Sequence, residues 1–465
     1  MKKLTTLIGA LLFSILFYSQ NIGVNLLLFT ILTIVILAIK NPKPFKNKGN
    51  NLKVLGYLIT GITVFIYKSD LSIIANIIAF FTFIGSLSEQ KSSIYIQWIN
   101  GIYTTVVSYF SIYFDTLNSE VEKVKKEKKE KINYGYWLKI VGIPAIVIII
   151  FINLYRVGNP VFDELITNID LSFINFQWLL FTALGYYLFY NISNPIQIEP
   201  VTSIDINTGN NLEKSSLEYI SPKKLKSEKQ LAIVLMILLN TLIVLFLITD
   251  IVHLSELHNM VASQLSAQVH NGVNALIFSN LLAIVIILYF FRGNLNFFEE
   301  NKDLKIITFV WIFLNLSVVI ITVIKNIEYI VSFGLTYKRV GVIFFLIATS
   351  IGLITTFIKV SKIKNLWFLF RKNTQIAFVI LIMSSTINWD KIITYYNVNN
   401  ADQMDLNYLI NLSDNNTFIL KDYAEKNEIN VTNKRKIDVK HRDYLDHLQE
   451  NSWQETVYNN LKIKK

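Results

Sequence analysis

Long runs of apolar residues with almost no charge alternate along this chain with short polar stretches. A helix that crosses a membrane needs roughly 17–25 mainly apolar residues, and the first two runs and the last are the shortest, at about 14–16 residues. The pattern predicts an all-α, polytopic helical membrane protein with about eleven transmembrane helices. The predicted spans are Leu4–Tyr18, Val24–Ile39, Leu52–Tyr67, Leu71–Leu87, Tyr136–Leu154, Phe173–Tyr190, Gln230–Val252, Val273–Phe291, Ile306–Ile324, Val340–Phe357 and Thr374–Ile387.

A twelfth stretch, Ile94–Phe114, is apolar and aromatic but also contains Gln97, Asn100 and Thr104. We interpret it as an interfacial helix because of where the basic residues fall. If it does not cross, 28 of the 33 basic residues in 1–388 lie in loops on the side of the N-terminus: 1–3, 40–53, 88–139, 191–229, 292–305 and 358–372. Cytoplasmic loops carry such an excess. We therefore expect a bacterial cytoplasmic membrane protein with its N-terminus inside and its C-terminus outside.

Composition narrows the class further. Charged residues make up 17% of the 465 residues, and there is no cysteine. Soluble domains carry about 25% charged residues, so a disordered chain, a disulfide scaffold and an ordinary cytosolic enzyme are excluded. The net charge is +11, but residues 389–465 carry 11 basic and 12 acidic residues. The basic excess thus belongs to the membrane portion, where it indicates how the chain is oriented in the lipid bilayer. A nucleic-acid-binding protein would carry this excess in a soluble domain, so we predict no nucleic-acid partner.

The two ends of the chain differ in character. Met1-Lys2-Lys3 before an apolar run also fits a signal peptide, but Tyr18-Ser19-Gln20 is a poor cleavage site, so we expect an uncleaved first helix. We divide the chain into a transmembrane domain, 1–388, and a polar, partly helical tail, 389–465. In the tail we predict short amphipathic helices over Leu406–Leu412, Phe418–Ala424 and His441–Leu461. The tail is a candidate surface for a protein partner.

One polar cluster could carry chemistry. Five residues that can bind a metal ion lie within 21 positions that begin at the end of the seventh span, and the loop Leu254–Gly272 holds no Lys or Arg. Nitrogen and carboxylate ligands at such spacing can hold zinc or another divalent metal. The alternatives are a solvated loop, a non-metal ligand site or a proton-sensing site. The weak metal candidates are Asp250, His253, Glu256, His258 and His270. We find no nucleotide-binding, zinc-protease or serine-hydrolase motif, and we predict no catalytic residue and no cofactor.

Ionisable residues are nearly absent from the predicted spans, which counts against an ion-coupled transporter. Lys338 and Arg339 precede a span on the predicted outer side, against the general charge pattern. We expect them to pair with buried acids such as Glu328; the alternative is that 325–339 folds back into the protein.

Four motifs mark a resemblance to a known family. They are His270-Asn271-Gly272-Val273, Phe291-Arg292-Gly293-Asn294-Leu295-Asn296-Phe297, Gly334-Leu335-Thr336-Tyr337-Lys338-Arg339 and Asn388-Trp389-Asp390. In this order they resemble uncharacterised bacterial multi-span membrane proteins of domain-of-unknown-function family four-one-seven-three, with sister family four-one-five-three as the alternative. The resemblance implies no established activity, cofactor or partner. The motif residues that it singles out are Gly272, Arg292, Gly334, Thr336, Arg339 and Asp390.

Three classes of function stay open. The first is a non-enzymatic sensor, scaffold or assembly partner, in which the tail binds another protein. The second is a transporter or permease for a lipidic or apolar substrate, which predicts an amphiphilic cavity between spans. The third is a membrane metalloenzyme that uses the histidines and acids between 250 and 270.

Overall fold

The computed structural model describes residues 2–123, 140, 143–167, 175–217, 219–254, 262–401 and 403–461. In these ranges the chain is helical, apart from turns and one isolated bridge between Asn211 and Lys364. The predicted all-α class is therefore confirmed for the described residues. The chain divides into two compact units: Met1–Tyr18 with Thr105–Asn194, and Ser19–Thr104 with Pro195–Lys465.

The first unit is built around two paired helices. The hydroxyl groups of Ser14 and Thr182 lie 2.7 Å apart, and the rings of Phe13 and Phe181 stack with centroids 5.0 Å apart. Gly185 faces the same neighbour, and its lack of a side chain lets the two backbones approach closely. The helices of this unit are α1 (Lys2–Phe17), the C-terminal part of α5 (Ile94–Lys123), α6 (Ile143–Gly158), α7 (Pro160–Thr167) and α8 (Phe176–Ser193), and the pair is α1 with α8.

The second unit contains most of the long helices. Its membrane-type helices and one short helix are α2 (Val24–Lys40), α3 (Lys48–Ile66), α4 (Asp70–Ser88), α9 (Glu199–Asn207), α10 (Pro222–Leu254), α11 (Ala262–Phe290), α12 (Lys302–Phe333), α13 (Tyr337–Ser361) and α14 (Leu366–Ser385). The tail forms α15 (Trp389–Asn400), α16 (Leu406–Ile410), α17 (Thr417–Lys426), α18 (Val431–Glu450) and α19 (Tyr458–Leu461). Two groups of helices pack most closely: α2, α3 and α4, and then α10, α11, α12 and α13.

Five of the described helices are long and apolar enough to cross a membrane: α4, α10, α12, α13 and α14. The helices α1 and α2 are apolar but shorter. Each of the eleven predicted spans overlaps a helix. The chain is thus a membrane protein by its helices, whereas eleven crossings stay a prediction.

The segments that connect the helices of the second unit contact one another in two separate groups. The first group joins Asn47 to Gln90, Asp205 to Ser93 and Arg371, Asn211 to Lys364, and Phe291 to Lys359. The second group joins Val24 to Thr456, Lys68 to Asn415, Tyr67 to Ser385, and Leu335 to Asn397. The helices α2, α3, α4, α12, α13 and α14 each run from one group to the other, so the two groups mark the opposite ends of the bundle.

One segment of the tail differs in its bounds from the sequence-based expectation. The predicted helix His441–Leu461 is wrong in its bounds, since α18 begins at Val431 and ends at Glu450. Asn430 explains the start, because its side chain accepts a hydrogen bond of 2.7 Å from the backbone N–H of Asn433. The apolar stretch Ile94–Phe114 lies in the 30-residue helix α5.

Buried polar side chains on α5 bind α9 and the extended segment that precedes it. Asn100 donates to the Thr202 hydroxyl at 3.0 Å and accepts from the Ile198 N–H at 3.0 Å. Thr104 donates to the Ile196 carbonyl at 2.8 Å. These residues lie on one face of the helix, which explains why polar positions recur in an otherwise apolar run.

The tail packs onto α12 and α13 through a shared hydrophobic core. Ile393, Leu409, Leu420 and Ile437 are buried in the tail. They join Ile330 of α12, Val340 of α13 and Leu335, which lies between these two helices. Lys440 of α18 donates to the carbonyls of Ile410 and Leu412 at 2.9 and 2.6 Å, which satisfies the C-terminal end of α16.

Candidate functional site

A cavity of about 720 Å³ lies between α10, α11 and α12. Small-molecule sites in proteins have volumes of about 300–1,000 Å³ and are lined mainly by apolar side chains with a few polar groups. The described lining follows this rule, since most of it is leucine, isoleucine, alanine, phenylalanine and valine. We take this cavity as the candidate functional site.

The side chains that form its walls recur at helical spacing. On α10 the lining residues include Leu239, Ile243, Phe246 and Asp250, which succeed one another by three or four positions. Residues so spaced share one face of a helix. On α12 the same spacing joins Trp311, Asn315, Val318, Thr322 and Lys325.

The third wall, on α11, is made largely of small residues. Gly272, Ala275, Ser279 and Ala283 line the cavity at spacings of three or four. Small residues on membrane helices usually let two helices touch. Here they line the cavity, and a Cβ atom built on Gly272 would meet no atom within 4 Å, whereas Ala283 is buried. The small side chains therefore leave the volume of the cavity free.

An ion pair closes one end of the cavity. The Lys325 ammonium donates a hydrogen bond to the Asp250 carboxylate, and the two side chains are only 11% and 13% exposed. They are the charged residues among the described residues of the lining. Ionisable residues within membrane helices are costly and mark functional positions by default.

Four of the six polar residues of the described lining lie towards the same end. Thr322 precedes Lys325 by three positions on α12, and Asn271 and Gly272 lie at the corresponding end of the α11 wall. The opposite part is mainly apolar, with Leu239 and Ile286, although Asn315 also lines it. From Leu239 to Asp250 the α10 wall is about 16 Å long at 1.5 Å per residue. That is roughly half of a 30 Å hydrocarbon core, so the cavity has the depth of one lipid leaflet.

The metal candidates are only partly covered by the described residues. Asp250 lies in the cavity and is paired with Lys325. Glu256 and His258 lie outside the described residues, and so do the side chains of His253 and His270. Within the described ranges no group of three His, Asp or Glu residues is close enough to hold a metal ion.

Three of the motif residues meet at one junction between α12, α13 and the tail. Gly334 ends α12 with φ +81°, and a Cβ atom there would lie 2.4 Å from the Asn397 Oδ1 atom. Thr336 caps α13, since its hydroxyl accepts from the Arg339 N–H at 3.3 Å. The guanidinium of Arg339 is 3.7 Å from the centre of the Tyr329 ring. It also donates to the Phe333 carbonyl at 2.7 Å, so this buried charge caps the C-terminal end of α12.

Asp390 joins the tail to the same junction. It is 3% exposed and accepts from the Tyr337 hydroxyl at 2.8 Å. The Ser413 hydroxyl donates to its other oxygen. The Tyr408 hydroxyl accepts from the Tyr337 N–H at 2.8 Å, and burial raises the pKa of Tyr408. The motif around Asp390 therefore holds the tail against α13.

The remaining motif residues lie elsewhere. Gly272 is in the cavity wall. Arg292 follows α11, lies 3.9 Å from the centre of the Tyr289 ring and 3.9 Å from the Glu228 carboxylate, and its side chain is 52% exposed. The motifs thus mark three places: the cavity, the tail junction and the end of α11.

Two ionic contacts were missed by sequence reasoning. Lys325 was assigned to a loop because the apolar run ends at Ile324, although α12 continues to Phe333. Arg371 falls in the segment 358–372, which the sequence assigns to a loop, yet it lies on α14 and its Nε donates to the buried Asp205 carboxylate at 3.0 Å. A helical spacing of apolar residues beyond Lys325, at Ile327, Ile330 and Phe333, was the available signal for the longer helix.

Comparison with known proteins places the chain in a family. The model of the family described as Domain of unknown function (DUF4153) matches residues 5–423. The chain belongs to this family. Of the two related families indicated by the motifs, it is thus the alternative, four-one-five-three, that matches. No curated protein matches the chain, and no solved structure matches it either. The family carries no assigned activity, so function is argued from the cavity.

Proposed function

We propose that this member of the DUF4153 family is a multi-pass protein of the bacterial cytoplasmic membrane that binds an amphiphilic molecule between α10, α11 and α12. The observation that carries the proposal is the cavity, with its apolar walls and one charged end. Of the function classes left open by the sequence, a transporter or permease for a lipidic substrate is the one that requires such a cavity.

The proposed arrangement has eleven spans, with the N-terminus inside and the tail outside. The two groups of connecting segments support it for the second unit. Asn47, Gln90, Asp205 and Lys364 belong to segments assigned to the inside by their basic residues, and they lie in one group. The segments assigned to the outside form the other group, together with the tail.

A sensory role is the second candidate. Lys325 is on α12, and Ile330 of the same helix lies in the hydrophobic core that includes the tail. A ligand that moves this helix would therefore also act on the tail. This contact favours a sensor whose tail reports occupancy to a protein partner.

The test is to fill the cavity and look for the ligand. Gly272→Phe places a ring in the space at the α11 wall, and Gly341→Phe is the matched control, since Gly341 is a helical glycine with nothing within 4 Å but does not line the cavity. Both variants and the wild type are purified in mild detergent and measured by native mass spectrometry. We expect the wild type and Gly341→Phe to retain a bound amphiphile and Gly272→Phe to lose it by roughly tenfold, about 1.4 kcal/mol. A wild type with no bound amphiphile, or equal retention in all three proteins, would contradict the proposal.

A further inference from the structure

We infer that the amphiphile bound in the cavity is a phospholipid with a zwitterionic head group, whose phosphate binds Lys325 and whose ammonium binds Asp250. The inference rests on the proposed function and adds the chemistry of the ligand. A phosphoethanolamine head group carries both charges, joined by two methylene groups.

The charges of the cavity favour a ligand of this kind. Asp250 and Lys325 contribute one negative and one positive charge and lie on facing walls, α10 and α12. An anionic head group on Lys325 would displace Asp250 and leave that carboxylate buried without a cation. Such an uncompensated charge is strongly unfavourable in a low-dielectric site. A cationic ligand would leave Lys325 in the same state. A zwitterion supplies a partner for each residue and adds no net charge.

The polar end of the cavity offers further contacts for a head group. Asn271 is exposed on the α11 wall, beside Gly272. Below this end the lining becomes apolar, through Phe246 and Ile243 to Leu239. An acyl chain fits the apolar part, since the cavity is as deep as about one leaflet.

Trp311 provides the probe, since it lines the apolar end of the cavity. Phospholipids brominated on an acyl chain quench tryptophan fluorescence on contact. The full chain is reconstituted in vesicles of unbrominated digalactosyldiacylglycerol, a bilayer-forming lipid whose head group is uncharged, with increasing brominated phosphatidylethanolamine, phosphatidylglycerol or diacylglycerol. The difference between the wild type and Trp311→Phe isolates the signal of Trp311 from that of the other tryptophans.

We expect phosphatidylethanolamine to quench Trp311 at a mole fraction at least fivefold lower than the other two lipids. Asp250→Asn and Lys325→Met should each abolish this preference. The exchanged pair Asp250→Lys with Lys325→Asp should restore it, because a zwitterion can bind in the opposite sense. The restoration separates a head-group contact from a general loss of folding.

A matched control lies on the same two helices. Lys229 of α10 and Asp303 of α12 pair at 3.4 Å, away from the cavity. Lys229→Met and Asp303→Asn should leave the preference unchanged, and a loss equal to that of Lys325→Met would overturn the assignment. Equal quenching by all three lipids, or a preference for phosphatidylglycerol, would contradict a zwitterionic head group. Either result would still be consistent with lipid binding in the cavity. No quenching of Trp311 by any lipid would overturn the proposed function as well.

Discussion

Asp250 on α10 and Lys325 on α12 form an ion pair, although they are 75 positions apart in sequence. The pair lies at one end of a largely apolar cavity. It places one positive and one negative charge between α10, α11 and α12, and the stability of the bundle should depend on both partners together.

We expect Lys325→Met or Asp250→Asn alone to lower the free energy of unfolding by about 3 kcal/mol, because each change leaves a partly buried charge without its partner. The double variant should recover most of this loss. Thermal unfolding in detergent measures the effect. Lys229→Met should cost less than about 1 kcal/mol, since the side chain of its partner Asp303 is 72% exposed. A double variant as unstable as the sum of the two single variants would show that the residues act independently.

Gly334 should tolerate no side chain. Its φ of +81° disfavours other residues, and a Cβ atom would approach the Asn397 Oδ1 atom to 2.4 Å. We expect Gly334→Ala to destabilise the protein by about 1–3 kcal/mol. It should also speed proteolysis of the tail, because Asn397 of the tail contacts the end of α12 at this position. Gly341→Ala is the control. It lies in open space within α13, where replacing glycine should stabilise the helix by roughly 0.5–1 kcal/mol. Equal stability of the two variants would contradict the requirement for glycine at position 334.

Arg371 should be needed for the end of the bundle that contains Asp205. The Asp205 side chain is 1% exposed, and Arg371 also donates to the Asn210 side chain at 2.8 Å. Arg371→Ala leaves a buried carboxylate and should cost about 3–5 kcal/mol. Arg371→Lys should restore only part of this stability, because the compact ammonium lacks the planar fork of N–H donors with which the guanidinium reaches Asp205 and Asn210 at once. Arg292→Ala is the control, with a side chain 52% exposed and 3.9 Å from Glu228, and it should change thermal unfolding little. Comparable losses in Arg371→Ala and Arg292→Ala would contradict the buried role.

The helices could be predicted because hydrophobic periodicity is a local property of the sequence. The apolar runs at Val24–Ile39 and Leu71–Leu87 correspond closely to α2 and α4. The error at Lys325 has the same origin. A charged residue ends an apolar run in sequence, but a helix continues through it when a partner such as Asp250 is present.

The cavity and the tail junction could not be predicted, since they depend on contacts between distant positions. Leu335, which follows Gly334, is joined to Asn397 by hydrogen bonds across 62 positions, and Asp205 and Arg371 are 166 positions apart. The motifs around Gly334 and Asp390 were visible in the sequence without their role. Only the packing of α12 against the tail shows that both belong to one junction.

The orientation of the bundle can be tested with two single cysteines. Asn207 is exposed on α9, and Asn427 is exposed after α17. Five helices, α10 to α14, separate them, and an odd number of crossings places them on opposite sides. The basic loops assign Asn207 to the inside. A membrane-impermeant maleimide should therefore label Asn427→Cys in intact cells and label Asn207→Cys only after permeabilisation. The chain contains no cysteine of its own, so each label reports a single position. The reverse pattern would invert the orientation, and labelling of both from one side would show that one of the five helices does not cross.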